Sequence, residues 1–227
     1  EYCSGIKKAE IPDSVKEIGT EAFYSCGSLE EVVLGKGLEK VGGETFRYCE
    51  KLTKLTIEGN IESIDSSVFY DTAIKELQVG KGVSSLKETL YGQGVLEKIE
   101  VEEGNESYIS EDGVLYNKEK TTLIRYPQSK SDQTEYKVPE GVKTIGKNAF
   151  NGNKTITKIE LPKSVQSIGD YAFYECNYLK EVELPENITS VGESAFTDCN
   201  QLESVKIKGA KELKDRVFKG CEKLTDI

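Results

Sequence analysis

Ile11-Pro12-Asp13-Ser14-Val15-Lys16-Glu17-Ile18-Gly19-Thr20-Glu21-Ala22-Phe23-Tyr24-Ser25-Cys26-Gly27-Ser28-Leu29-Glu30-Glu31-Val32-Val33-Leu34 is one complete word of a sequence that repeats it. Its second half, Leu29-x-x-Val32-x-Leu34, returns as Leu52-x-x-Leu55-x-Ile57, Ile74-x-x-Leu77-x-Val79 and Leu96-x-x-Ile99-x-Val101. It comes back as Ile156-x-x-Ile159-x-Leu161, Leu179-x-x-Val182-x-Leu184 and Leu202-x-x-Val205-x-Ile207. The first half reappears around Val138-Pro139, Leu161-Pro162 and Leu184-Pro185, each followed by Ile-Gly or Val-Gly and then Ala-Phe. Phe23, Phe46 and Phe69 lie 23 residues apart, as do Phe150, Phe173 and Phe196; Phe218 follows at 22, and Tyr91 takes the same slot 22 after Phe69. Cys3, Cys26, Cys49, Cys176, Cys199 and Cys221 keep the same beat. A fixed period in this range marks a solenoid.

The physics of one word explains the array. Its last two apolar positions alternate with polar ones, which predicts a short strand with one buried face. Such a strand cannot bury that face alone, but stacked beside copies of itself it forms a parallel sheet over a continuous core. Eight to nine rungs spaced about 4.8 Å give a curved rod of roughly 40 Å. Proline ends each strand because it cannot donate a ladder hydrogen bond. The following glycine is expected to permit a tight bend into a short turn or helical segment. The phenylalanines then stack from the convex side into a spine. Cysteines in one slot of neighbouring rungs point the same way, so a ladder of buried thiols is expected rather than disulfides. Zinc is not expected from ligands strung along a ladder.

The pattern [ILV]-P-x-x-[VI]-x-x-[IV]-G-x-x-[AS]-F-x-x-C-x-x-L-x-x-[VI]-x-[LI] resembles the BspA-like leucine-rich repeats of bacterial surface proteins. The resemblance implies an α/β solenoid: a right-handed superhelix with a concave parallel β-sheet, short 3-10 or helical turns on the convex side, and one β-hairpin insertion. It also implies a secreted or cell-surface protein of adhesive character. The chain reads as one domain cut from a longer array, with a first repeat block at 1–101, an insertion at 102–137 and a second block at 138–227. Neither end shows a capping repeat, and any export signal is expected upstream of Glu1.

Two rungs depart from the rule: around Thr72 and Gly94 the cysteine slot is filled differently. Within the insertion, Glu111-Asp112-Gly113 between Tyr108-Ile109-Ser110 and Val114-Leu115-Tyr116 signals a hairpin. Thr121 to Tyr126 offers a further strand that Pro127 terminates, and Gln128 to Glu135 reads as an exposed polar loop. Tyr108, Tyr116, Tyr126 and Tyr136 concentrate aromatics of the kind that binding faces favour. The same rings could equally pack the hairpin onto the solenoid.

Composition narrows the function. A net charge of −10 disfavours nucleic acid and anionic membranes. No apolar run approaches the roughly 18 residues of a membrane span. Histidine is absent, so Ser-His and Cys-His nucleophile pairs are impossible within the chain. The acid pairs Glu181/Glu183 and Glu100/Glu102 share a strand face but sit in ordinary polar repeat slots, and neither an enzyme nor a cofactor is expected. Asn-x-Ser/Thr sequons stand at Asn105, Asn153 and Asn187.

The residues flanking the buried strand positions should face outward. They are Glu31 and Val33, Lys54 and Thr56, Glu76 and Gln78, Lys98 and Glu100, then Lys158 and Glu160, Glu181 and Glu183, Ser204 and Lys206. This mixed, charged face fits polar, multi-rung recognition of a host or bacterial protein, with Tyr108, Tyr116 and Tyr126 of the insertion as a second candidate surface. A structural stalk presenting another domain is the alternative. A carbohydrate or cell-wall binder is a third reading, weakened by the scarcity of aromatic platforms on that face. Oligomeric state leaves no mark in the sequence.

Overall fold

The structure is a computed structural model that describes residues 3, 5–87 and 95–227. It divides into two compact units, Glu1–Gly113 and Val114–Ile227. In the first unit the strands are β1 (Lys8–Ile11), β2 (Glu17–Ile18), β3 (Glu31–Leu34), β4 (Lys40–Val41), β5 (Lys54–Ile57), β6 (Ser63–Ile64), β7 (Glu76–Val79), β8 (Lys98–Val101) and β9 (Tyr108–Glu111). In the second they are β10 (Val114–Asn117), β11 (Thr122–Arg125), β12 (Glu135–Lys137), β13 (Thr144–Ile145), β14 (Lys158–Glu160), β15 (Ser167–Ile168), β16 (Glu181–Leu184), β17 (Ser190–Val191), β18 (Ser204–Ile207) and β19 (Glu212–Leu213).

Each unit is a β-solenoid. In the first, the four-residue strands pair in parallel in the order β1-β3-β5-β7-β8. In the second, β12-β14-β16-β18 do the same. Register follows the repeat: Val32 faces Leu55 and Leu55 faces Leu77, all fully buried. Opposite this sheet, two-residue strands form a second parallel ladder, β2-β4-β6 in one unit and β13-β15-β17-β19 in the other.

The helical or 3-10 turns expected on that side do not form: among the described residues there is no helix, and so none long and apolar enough to cross a membrane. The backbone explains why. Glu21 and Ser25 sit at φ 58° and 55°, and the pattern recurs at Glu44 and Tyr48, Tyr171 and Glu175, and Ser194 and Asp198. A left-handed residue every fourth position stops any helical run. Between them, alternate N–H groups close local turns (Tyr24 to Glu21, 3.1 Å; Cys26 to Phe23, 3.2 Å) or reach the next coil (Phe23 to Thr45, 2.9 Å; Ser25 to Arg47, 2.8 Å). A non-glycine residue in this region costs about 1–2 kcal/mol. The hydrogen bonds to the neighbouring coil offset that cost.

The conserved-looking Ile-Gly word also serves a different purpose from the bend expected of it. Gly42, Gly169 and Gly192 do not take positive φ. A Cβ at these positions would lie 2.4–2.6 Å from a backbone nitrogen of the preceding coil. Glycine is needed there so that the coils can approach. Proline does end the strand, and it opens a turn closed three residues on: Val15 to Pro12, Val165 to Pro162 and Ile188 to Pro185, at 3.0–3.1 Å.

The phenylalanine spine is present. Phe23, Phe46 and Phe69 stack with centroids 5.2 and 5.6 Å apart. Phe150, Phe173, Phe196 and Phe218 stack at 4.8–5.7 Å. The slot expected for Tyr91, like the altered cysteine slot at Gly94, lies outside the described residues. At the other altered slot, the Thr72 hydroxyl caps the Phe69 carbonyl at 2.8 Å. All six cysteines are thiols, and Cys26, Cys49, Cys176 and Cys199 are buried. The Sγ atoms of Cys49, Cys176, Cys199 and Cys221 donate to the carbonyls of Phe23, Phe150, Phe173 and Phe196 at 3.0–3.2 Å. Asn153 occupies the same slot and donates to the Pro127 and Gln128 carbonyls while accepting from the Thr155 and Ile156 amides. Asn105 does likewise, with Gly80 and Val83 as acceptors. Both asparagines keep only 1% of their surface, so of the three sequons only Asn187 is presented to solvent.

Within the segment expected as an insertion, β10 pairs antiparallel with β11, unlike the parallel ladders of the repeats, and the repeat geometry resumes from β11 onward. Asp112 and Gly113 have φ 50° and 74°, the pair of left-handed residues that a type I′ turn requires. β11 pairs in parallel with β13. Tyr126 then enters the phenylalanine stack, 5.1 Å from Phe150. The loop expected to be exposed is partly buried: Gln128 keeps 3% of its surface and Lys130 6%. It is covered because residues 126–130 stand in for a Phe-x-x-Cys turn, with Tyr126 donating to Ala149 and Lys154 to Gln128. The buried Lys130 ammonium is held by Asp132 at 2.6 Å.

Phe46→Ala removes a ring buried between two others, and we expect it to cost about 3–5 kcal/mol in chemical denaturation. Burial pushes the Cys49 thiol up to about 11 and the Cys176 thiol up to about 12. The unfolded chain ionises these thiols near 9, whereas the folded chain does not. Stability should therefore fall as pH rises from about 9 toward 12, and Cys49→Ala with Cys176→Ala should flatten that decline in urea titrations.

Candidate functional site

The outward positions of the longer-strand sheets form columns whose members come from successive coils. In the first unit one column runs Lys8, Glu31, Lys54, Glu76, Lys98 in strict charge alternation. Lys8 and Lys54 flank Glu31 at 3.6 and 3.9 Å. The second column runs Glu10, Val33, Thr56, Gln78, Glu100. The columns are tied by Lys8–Glu10 and Lys98–Glu100, both 2.6 Å, which raise the two lysine pKa values. A groove of about 440 Å³ opens over β5, β7 and β8, lined by Thr56, Gln78 and Glu100 together with Glu58, Glu102 and Ser110.

In the second unit the first column is Glu135, Lys158, Glu181, Ser204. The second includes Lys137 beside Glu160 and Glu183 beside Lys206. A groove of about 540 Å³ lies over β14, β16 and β18. Lys158 approaches Glu160 at 3.9 Å, and Lys208 hydrogen-bonds Glu183. The lysine beside Glu183 holds its carboxyl below the usual range and is itself raised. Glu181, Glu186 and Lys163 line the same groove and form no ion pair among the described residues. Sequence reasoning found Lys158, Glu160, Glu181, Glu183, Ser204 and Lys206 but missed Lys163, Glu186 and Lys208. These follow the strand, where alternation gives way to the proline turn. Ile207-Lys208, standing where other repeats put Leu-Pro, was the visible signal.

The tyrosines divide. Tyr116 and Tyr126 keep 1% and 0% of their surface, and Tyr116 and Tyr136 join their hydroxyls at 2.5 Å. These rings pack the core and are not presented to a partner. Tyr108 is half-buried; its hydroxyl accepts from the Leu86 amide and donates to the Ser84 carbonyl. Arg125, which no sequence pattern singled out, is buried and donates to the carbonyls of Asn148 and Asn151.

This two-ladder coil, with its Phe stack and Cys-to-carbonyl bond, is matched by the model of the BspA type leucine rich repeat region, six copies over residues 1–118 and 125–227. The chain belongs to this family. A leucine-rich repeat protein from Eubacterium ventriosum superposes with TM-score 0.74 at 28% identity, over 97% of this chain and 65% of its own. The pneumococcal vaccine antigen PcpA gives TM-score 0.64 at 27% identity, over 93% and 66%. A leucine rich cell surface protein from Faecalibacterium prausnitzii gives 0.56 at 25%, over 99% and 80%. The chain thus spans about 65% of the length of the first two of these proteins. No curated protein matches it in sequence.

Charge alternation in the first column predicts that Glu31→Lys, which places like charges side by side, lowers Tm by about 1–2 °C at low salt. The loss should shrink in 1 M NaCl, measured by thermal denaturation at both ionic strengths.

Proposed function

We propose that the chain is a protein-binding module of a secreted or cell-surface protein, recognising its partner through the outer faces of its longer-strand sheets. The observation that carries this reading is the groove over β14, β16 and β18, where Glu181, Glu186 and Lys163 present charge that no ion pair engages among the described residues. A rigid array of charged columns suits an extended polar partner that spans several coils. Charges set at fixed spacing on a stiff sheet favour specificity and rapid encounter more than raw affinity. The family supports the same reading, as do relatives described as a vaccine antigen and a cell surface protein.

A structural stalk is the competing reading, and the first unit's charge column favours it there. Glu31 between Lys8 and Lys54 is largely matched within the sheet.

Removing residues 102–137 is a poor test, because that segment supplies Tyr116, Tyr126 and Tyr136 to the core. Point substitutions serve better. The chain immobilised on a sensor should bind saturably to at least one member of a panel of host matrix and bacterial surface proteins. Glu181→Gln with Lys206→Gln, which place no like charges side by side, should weaken that binding about tenfold or more with Tm shifted by no more than about 2 °C, since truncated interfacial charges cost on the order of 2 kcal/mol and exposed charges contribute about 0–1 kcal/mol to stability. Absence of saturable binding across the panel would favour the stalk.

A further inference from the structure

The groove of the first unit differs in kind from that of the second. Its lining holds three carboxylates, from Glu58, Glu100 and Glu102, and no lysine or arginine. Two of them are engaged: Glu100 with Lys98 at 2.6 Å, and Glu102 with the Lys81 amide at 2.7 Å. Glu58 makes no ion pair or side-chain hydrogen bond among the described residues.

Thr56 lies two residues before Glu58, on the outward side of β5 between the inward-facing Leu55 and Ile57, with Gln78 between it and Glu100. It keeps only 9% of its surface, and its hydroxyl makes no hydrogen bond among the described residues. Its neighbour across the ladder, Gln78, also leaves its carboxamide unused. The Thr56 hydroxyl is not sealed in the core but open to the groove that Thr56 lines, where a ligand donor can take the place of water. Gly80 completes the shape, since a Cβ there would lie 2.9 Å from the Glu58 Oε2. The site is thus a polar slot with acceptors on its floor and negative charge at its rim.

We infer that this slot receives an arginine side chain of the protein partner, an inference that rests on the protein-binding reading above. An anion would meet three carboxylates, and an apolar group would find only Val79 and Val101 among the lining residues. A guanidinium brings one positive charge and five N–H donors in a fixed plane. It can donate to Glu58 while its remaining N–H groups reach Thr56 Oγ1 and Gln78 Oε1. An ammonium has three donors and no plane, and so uses fewer of these acceptors. Lys98 already engages Glu100, so Glu58 is the carboxylate of the slot left for an incoming cation.

The test is a titration of the isotopically labelled chain with the peptide acetyl-Gly-Arg-Gly-amide, followed by amide NMR. The peptide should shift the signals of Thr56, Gln78 and Glu102 saturably, and binding should weaken with added NaCl. The citrulline peptide, neutral and nearly isosteric, should bind at least tenfold more weakly, and the lysine peptide should fall between. Thr56→Val keeps the strand's β-branched shape and Glu58→Gln keeps size, so both should fold. Each should weaken the arginine peptide about tenfold, the scale of a hydrogen bond to a charged group. Equal binding of the citrulline peptide, shifts elsewhere than the groove, dependence on added calcium, or indifference to both substitutions would overturn the assignment. The two failures read apart. An unresponsive groove in a chain that binds a panel protein sinks the arginine slot alone. A responsive groove in a chain that binds no panel protein supports the slot while the functional reading falls.

Discussion

No coil of this protein can satisfy its own backbone. A strand of four residues leaves its N–H and C=O groups pointing along the stack, and so do the left-handed turns on the opposite side. Each therefore bonds to the coil before and the coil after. Buried backbone groups must be paired, and here pairing is possible only between neighbours in the array. Coil length, the glycine contacts and the stacked phenylalanines all follow from the need to keep adjacent coils in register at strand spacing.

That constraint explains what the sequence made legible. Leu29-x-x-Val32-x-Leu34 and its copies announced the strands because burial imposes a period of two on a strand with one wet face. Phe23, Phe46 and Phe69 announced the stack because one large slot recurs in every coil. The second ladder was harder to see. Glu17-Ile18 carries a single buried residue, too short for a period. The left-handed turns carry no single residue signature: Glu, Ser, Tyr, Asp, Asn, Arg and Gly fill them. What stabilises those turns is a bond to a residue about 22 positions away, which no local pattern records. Arg125 escaped for a related reason: it donates to carbonyls of the following coil, which no local pattern records.

The candidate surface was legible as a set of outward positions but not as a site. Alternation assigns the same role to Val33, Thr56 and Gln78. Only the structure shows that Thr56 is nearly enclosed while Glu31 is bracketed by lysines. The two units consequently present different chemistry from the same repeat. The first pairs Glu31 and Glu100 with lysines of the sheet and opens a groove lined by carboxylates, Thr56 and Gln78; the second presents Glu181, Glu186 and Lys163 without ion pairs among the described residues across a larger groove. Variation at slots that do not affect packing can thus diversify recognition without disturbing the fold.

The direction of the inter-coil hydrogen bonds has a mechanical consequence. Within a unit they run along the stack, parallel to a pull applied between its first and last coils. Tension then opens one coil's bonds together while the remaining coils stay shut, so the array peels rather than shears. Each released coil of about 22 residues adds roughly 75 Å of extended chain. A unit under tension is a stepwise shock absorber, lengthening in equal increments while its unopened coils keep their surfaces intact.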